Sequence, residues 1–256
     1  MNVIYLGKGR TSAAGLNYLL GKNFNVVVVV APDKDELSKF ACKNKINVIS
    51  DNELYERINK QQKYNNIDLI ISFGFWKRIK ASLIKLPKIG CINFHPAPLP
   101  EFRGMGGVYN FAIYENIKVW GVSAHFVDET FDTGALIKVS KFSIKPENET
   151  AFSLRQKSHK ALLKLFKEVI DLVSKDGALP RLPQGHGRYI SKKDFEILRK
   201  VGTTDTLADI ERKIRAFWCP PHNGAYIELQ GKEFTLINDK ILEDISRKYI
   251  TVERRT

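Results

Sequence analysis

The strongest constraint on this chain is the regular alternation, through its first half, of apolar strand-length runs with amphipathic helical runs. Residues 3–6 (VIYL) precede a helical pattern over 11–20, and a second apolar run at 26–30 (VVVVV) precedes helical spacing of Leu37, Phe40 and Ala41 within 33–44. A further helix is expected over 52–61, opened by an Asp51 or Asn52 cap, and strands follow at 68–73 (DLIISF) and 91–94 (CINF). Strand runs this uniformly hydrophobic are buried on both faces, and strands separated by helices pair in parallel. The expected fold class is α/β, with a mostly parallel sheet covered by helices.

The second half is less regular. After the glycine-rich stretch 104–107, a helix carrying Tyr109, Phe111 and Tyr114 is expected, then two strands at 120–127 and 135–144 and a long closing helix over 149–174. Residues 177–187, rich in Gly and Pro, read as a linker. The expected division is therefore a main domain over 1–176, the linker 177–187, and a small module over 188–256. That module reads as helices near 192–200 and 206–217, followed by strands 225–229 and 233–237 joined at Gln230-Gly231-Lys232 as a hairpin.

Composition narrows the function classes. The 256 residues suit one large domain with an appendage. No apolar stretch approaches the roughly 20 residues that a bilayer span requires, and the opening run is too short for a secretory leader. The chain is read as soluble and cytoplasmic, with no membrane partner. Cys42, Cys91 and Cys219 lack CxxC spacing, so neither a disulfide framework nor a metal site is expected. A formal charge of +13 would suit a polyanion. The lysines are spread along the whole chain, however, so the charge is read as a solvated surface and no nucleic-acid partner is expected.

Two stretches invite chemistry. Gly7-Lys8-Gly9-Arg10 follows the first strand, and Asp33 ends the second, as in a dinucleotide site; but Ser12 stands where the third glycine of that fingerprint belongs. It reads as a strand-to-helix turn. The second stretch is Asn93-Phe94-His95-Pro96, joined later by Asp132-Thr133-Gly134. Singly, each is an ordinary loop or cap. Together Asn93, His95 and Asp132 supply an amide donor, a group titrating near neutrality and a carboxylate, expected at the carboxyl ends of parallel strands. A nucleophile attacking a carbonyl needs such groups: fixed donors for the oxyanion, and an imidazole or carboxylate to take the proton from the attacking atom. Asp132 beside His95 is expected to orient the imidazole and raise its pKa.

Residues 91–104 (CINFHPAPLPEFRG) and 120–137 (WGVSAHFVDETFDTGALI) resemble the two signature blocks of the formyltransferases dependent on 10-formyltetrahydrofolate. The resemblance is firm over about residues 1–175 and looser beyond. It implies a Rossmann-like formyltransferase domain followed by a small α+β C-terminal module, with Asn93, His95 and Asp132 as the catalytic trio and His125 near the folate. It also places the pterin of the co-substrate along Phe75, Trp76, Lys77 and Ile79 and along the loop beginning Val127-Asp128. Phe73, Phe75 and Trp76 are expected as one aromatic cluster.

For the amine, the phrases WGVSAHFVDE at 120–129 and IRAFW at 214–218 are most similar to enzymes acting on nucleotide-linked amino sugars. The chain is also short for the methionyl-tRNA enzymes of the family. The expected substrate is a deoxythymidine-diphosphate amino sugar, formylated for surface polysaccharide. Arg215 would meet the pyrophosphate and Trp218 and Tyr226 the base, with Tyr109 or Asn110 approaching from the loop of Gly104, Met105 and Gly106. The alternatives are a methionyl-tRNA formyltransferase, or a non-catalytic folate-sensing or nucleic-acid-binding protein on the same scaffold. The hairpin is too short to bury both its faces, so a homodimer is expected through it.

Overall fold

In a computed structural model, residues 1–60, 64–104 and 107–253 of the chain are described. The alternation read from the sequence is realised as β1 (Asn2–Gly7), α1 (Gly9–Gly21), β2 (Asn25–Val30), α2 (Glu36–Lys43), β3 (Val48–Ile49), α3 (Asp51–Asn59), β4 (Leu69–Phe73), α4 (Ala81–Ile84) and β5 (Gly90–His95). There follow β6 (Phe102–Arg103), α5 (Val108–Tyr114), β7 (Val119–Phe126), β8 (Leu136–Ser143), a 3-10 turn at Pro146–Asn148 and the long helix α6 (Ala151–Asp176). The chain continues as β9 (Arg188–Tyr189), α7 (Lys192–Arg199), α8 (Leu207–Phe217), β10 (Tyr226–Leu229), β11 (Lys232–Thr235) and α9 (Asp239–Glu253). The elements β3, α4, β6, β9, the 3-10 turn and α9 are not among those expected; all but α9 are four residues or shorter. The end of the helix expected over 52–61 lies outside the described residues; its cap is Ser50, whose hydroxyl accepts from Glu53 N, rather than Asp51 or Asn52.

Among the described residues the central sheet has seven strands in the order β3-β2-β1-β4-β5-β7-β8. The first five run parallel, and the direction reverses between β5 and β7. β7 and β8 form a hairpin held by Phe126 N donating to Ala135 O at 2.8 Å and Ile144 N donating to Lys118 O at 2.9 Å. Period-two alternation divides the strand side chains between two cores. Val3, Tyr5, Leu69, Ile71, Phe73, Ile92 and Phe94 face one cluster, into which Phe166 of α6 packs. Ile4, Leu6, Ile70 and Cys91 face the other. Phe73 and Phe75 consequently lie in different clusters, on opposite faces of the sheet, and do not form the single aromatic group expected.

The chain forms two compact units: Met1–Gly104 with Gly121–Phe142 and Lys157–Tyr189, and Met105–Trp120 with Ser143–Gln156 and Ile190–Thr256. This differs from the expected division in two ways. In the second unit α5 packs on α8, and the Asn110 amide donates to Ala216 O at 2.7 Å, so a piece of the expected main domain belongs with the C-terminal residues. In the first unit residues 177–189 are bound rather than free. Leu182 and Leu136 exchange backbone hydrogen bonds at 2.7 and 2.9 Å, and Arg188 and Tyr189 of β9 pair in parallel with Phe102 and Arg103 of β6. The expected linker is an integral strap. Capping boxes fix the starts of α7 (Ser191 with Asp194) and α8 (Thr206 with Asp209).

Phe166 carries much of the first core, with ring centroids 5.0 Å from Phe73 and 4.8 Å from Phe94. Phe166→Ala should lower the unfolding free energy by about 3–5 kcal/mol, the usual cost of removing a large packed aromatic, measured as a reduced urea midpoint.

Candidate active site

The site grows from one face of the sheet. On the strands facing the second core, Ile70 is followed two residues on by Ser72, and Cys91 by Asn93 and then His95. Apolar side chains thus give way to polar ones toward the carboxyl ends. Ser72 of β4, Asn93 of β5 and His125 of β7 are successive partners in register across three strands. Their side chains are joined along that row. The Ser72 hydroxyl donates to Asn93 Oδ1 at 2.7 Å, and Asn93 Nδ2 lies 3.1 Å from His125 Nε2. His125 Nδ1 is 2.8 Å from Phe126 O. A carbonyl only accepts, so Nδ1 carries the proton and Nε2 is left to accept from Asn93. One amide hydrogen of Asn93 is used in this way; the other has no acceptor among the described residues.

His95 is fixed by the loop that follows it. Ser123, its partner in register, is fully buried; its hydroxyl accepts from Leu99 N at 2.9 Å and donates to Ala97 O at 2.8 Å, folding the proline-rich loop back. This brings Phe102 O to 2.8 Å from His95 Nε2. That nitrogen therefore holds the proton of the neutral ring, and the bare Nδ1 faces Asp132 Oδ2 at 3.6 Å.

Asp132 lies in the loop between β7 and β8. It does not stand at the carboxyl end of a parallel strand, as expected; the antiparallel hairpin turns the loop back over β5. Its side chain is 11 % exposed. Oδ1 is 3.4 Å from His125 Nε2, and Oδ2 accepts from Gly104 N at 2.9 Å. Its backbone is in the left-handed region, at φ +55°. Burial alone would raise the carboxyl pKa, but His95, His125 and the Gly104 amide together outweigh it and hold the group well below the usual carboxylate range. For His95 the balance goes the other way. Burial lowers its pKa, and Asp132 only partly offsets this, so the expected rise becomes a net fall below the ordinary value of 6.5. The site at neutral pH pairs a carboxylate with a neutral imidazole.

The remaining candidates divide by unit. Phe75 and Trp76 lie together at a centroid separation of 5.1 Å, half-buried, with Lys8 Nζ 5.6 Å from the Trp76 ring. Ile79 is buried in the second core, and Lys77 is paired with Asp51 at 2.6 Å. Val127 N donates to Cys91 O at 2.8 Å. The Asp128 carboxylate accepts from the Thr133 hydroxyl at 2.7 Å and holds the loop ahead of Asp132. These residues share the first unit with the trio. Gly104 is there too, through its amide on Asp132.

In the second unit, the side-chain amide of Asn110 is engaged by Ala216 rather than exposed to a ligand. Tyr226 lies under the Arg199 guanidinium at 4.3 Å, and Trp218 O accepts from Phe152 N at 2.9 Å. The Tyr109 hydroxyl and Arg215 Nε are buried without hydrogen-bond partners among the described residues. Met105 and Gly106 lie outside the described residues. Among the described residues no group of three or more His, Cys, Asp and Glu is arranged to hold a metal ion, and no helix is long and apolar enough to cross a membrane. Sequence reasoning missed Ser72, Ser123, Arg103 and Gln184. Ser72 could have been found as the one polar side chain inside a wholly buried strand.

Comparison with known proteins adds the following. The family model described as formyl transferase matches residues 1–170. The GDP-perosamine N-formyltransferase of Brucella melitensis is 32% identical over 184 residues, 70% of this chain and 68% of the relative. A methionyl-tRNA formyltransferase of Agathobacter rectalis is 29% identical over 261 residues, 95% of this chain and 81% of the relative. Among solved structures, the N-formyltransferase of Helicobacter canadensis, in complex with folinic acid and dTDP-3-aminofucose, is similar in fold, with a TM-score of 0.72 and 24% identity over 93% of this chain and 88% of that one.

The charge balance can be tested directly. Asp132→Asn removes the larger of the two contributions that raise the His95 pKa, the Phe102 carbonyl being the other, so the imidazole should titrate at still lower pH than in the unmodified protein. NMR of ring-labelled histidine checks this; an unchanged or higher value would mean the two groups are not coupled.

Proposed function

The chain belongs to the formyl transferase family, and from that premise we propose that it transfers the formyl group of 10-formyltetrahydrofolate to the primary amine of a nucleotide-linked amino deoxysugar. The observation that carries the chemistry is the Asp132 carboxylate flanked by His95 and His125, with Asn93 joined to His125 and with one Asn93 N–H and His95 Nδ1 left unused.

Those two groups meet the two charges that the reaction develops. As the amine nitrogen bonds to the formyl carbon, negative charge collects on the carbonyl oxygen, and the remaining Asn93 N–H is a fixed donor for it in a water-poor site. The attacking nitrogen becomes cationic. Its proton passes to His95 Nδ1, where the adjacent Asp132 carboxylate stabilises the imidazolium. The bond from the formyl carbon to the folate nitrogen then breaks, and that nitrogen takes up the proton. The products are a formamide and tetrahydrofolate. Phe75, Trp76, His125 and the backbone of Lys77, Ile79, Val127 and Asp128 are assigned to the folate.

The amine is assigned on the second unit. A buried hydroxyl and a buried guanidinium nitrogen there, Tyr109 Oη and Arg215 Nε, have no partner among the described residues. Leaving such groups unsatisfied costs about 1–3 kcal/mol each. They favour a compact ligand rich in oxygen, such as a nucleoside diphosphate, with the Trp218 ring supplying an aromatic face. We assign deoxythymidine as the nucleoside, in keeping with the ligand of the Helicobacter canadensis protein, and place the activity in the cytoplasm, toward surface polysaccharide. The similarity to a methionyl-tRNA enzyme over most of the chain makes aminoacyl-tRNA the rival amine.

A panel of amines incubated with 10-formyltetrahydrofolate separates the two, with tetrahydrofolate release as the readout. A thymidine-linked amino sugar should turn over with modest salt dependence, and His95→Asn or Asp132→Asn should cut the rate by about 100-fold or more with folding retained. Formylation of methionyl-tRNA alone, weakening steeply with salt as phosphate contacts do, would replace the sugar assignment and leave the chemistry intact.

The hairpin β10–β11 exposes Leu229 and Phe234, at 55 % and 49 % of their surface, and Ile237 follows it at 42 %. A two-stranded hairpin is marginal alone, and we assign this face to a homodimer contact. Light scattering at micromolar concentration should give twice the chain mass; a monomer mass would refute the contact.

A further inference from the structure

Gln184 sits in the strap 177–189, of which residues 177–187 read in the sequence as a linker. Its side-chain amide has an unambiguous orientation. Oε1 accepts from Arg103 Nε at 3.3 Å and Nη2 at 2.9 Å, and a guanidinium can only donate. Nε2 donates to Asp132 O at 3.0 Å and to Gly134 O at 2.6 Å, and carbonyls can only accept. Both polar atoms of the Gln184 side chain are thereby committed, and both amide hydrogens go to the backbone of the loop that carries the carboxylate.

Arg103 ties the other end. Nη2 also donates to Gly185 O at 2.8 Å. Its two sequence neighbours touch the site: Phe102 O is the partner of His95 Nε2, and Gly104 N donates to Asp132 Oδ2. One three-residue segment thus fixes the imidazole, the clamp and the carboxylate. The loop needs such restraint. Asp132 is a non-glycine residue at φ +55°, in the left-handed region that side-chain-bearing residues seldom adopt. Two residues on, a Cβ at Gly134 would fall 1.9 Å from Phe126 O, so the loop lies hard against β7 just where Gln184 grips it.

We infer that Gln184, held by Arg103, is a positioning residue for the reaction: it locks the Asp132 main chain in its left-handed conformation so that the carboxylate stays between His95 and His125. The inference rests on the formyl-transfer reading for its kinetic consequence, but not for its geometry. Gln184 touches neither reacting group, so its effect should appear in turnover rather than in binding.

The test is Gln184→Ala in the full chain, read three ways. Turnover should fall by roughly 10- to 100-fold, as for a small misplacement of a reacting group, with KM for amine and folate moving less than about threefold. In an Asp132→Asn background the same change should cost less than about threefold, because the group it positions is gone. The His95 titration, followed by NMR without substrate, should shift in the same direction as in Asp132→Asn. Arg103→Met, which leaves both Gln184 contacts to the loop in place, should reproduce the pattern at smaller amplitude and covers the case in which Gln184→Ala folds poorly. Turnover at the unmodified level would overturn the inference. So would an equal loss in both backgrounds with the His95 titration unchanged, which would make the strap a structural brace. Because the NMR arm needs no substrate, a chain that transfers some other group would still show the coupling, and loss of coupling with intact formyl transfer would count against Gln184 alone.

Discussion

The Asp132 carboxylate is the group on which the rest of the site depends. A buried carboxylate is tolerated only when its charge and its lone pairs are met from several sides. Here the Gly104 amide donates to one oxygen, and His95 and His125 flank the group at 3.6 and 3.4 Å, where either ring meets the charge on taking up a proton. None of these partners is local in sequence. The carboxylate therefore ties together two strands, the proline loop and the β7–β8 hairpin, and weakening any of these elements loosens the others.

The sheet explains how such distant residues meet. Parallel strands β4 and β5 bring Ser72 and Asn93 into register, and the reversal at β7 adds His125 to the same row. The reversal matters beyond that one residue. A parallel seventh strand would have returned through a helix on the far side of the sheet, and the residues after it would have left the site. An antiparallel hairpin instead keeps 127–135 beside the strand ends. The price is a tight loop, with Asp132 at positive φ and Gly134 pressed on Phe126, and the strap 177–189 covers it.

Much of this was legible in the sequence, for physical reasons. Uniformly apolar runs such as VVVVV can only be interior strands, so the α/β class and most element positions followed from periodicity. The trio stood out because Asn93, His95 and Asp132, each ordinary alone, together supply an amide donor, a group titrating near neutrality and a carboxylate. What was not legible depended on partners far along the chain. The Gly- and Pro-rich composition of 177–187 marks irregular backbone equally well whether the segment is free or bound, and only the contacts of Leu182 and Gln184 distinguish the two. Asn110 looked available to a ligand because its bond to Ala216 spans 106 residues. The direction of the His95 shift was misjudged for the same reason: the neighbouring charge could be guessed from the motif, whereas the depth of burial that outweighs it is a property of the whole fold.

Burial also sets which protonation state the site prefers as the reaction proceeds. With His95 neutral and Asp132 ionised, the pair carries one negative charge in a poorly hydrated place. A proton added at His95 Nδ1 converts it to an imidazolium beside a carboxylate, a pair with no net charge, so accepting the proton relieves the uncompensated charge rather than adding to it. The same burial that lowers the imidazole pKa keeps His95 in its proton-accepting form at neutral pH, and the nearby carboxylate becomes effective as a cation forms on the attacking nitrogen. The low pKa and the close carboxylate are thus not opposing features of the site. The first keeps the acceptor free before the amine attacks, and the second makes the transfer favourable once it has, provided the carboxylate stays within a few ångströms of Nδ1 throughout.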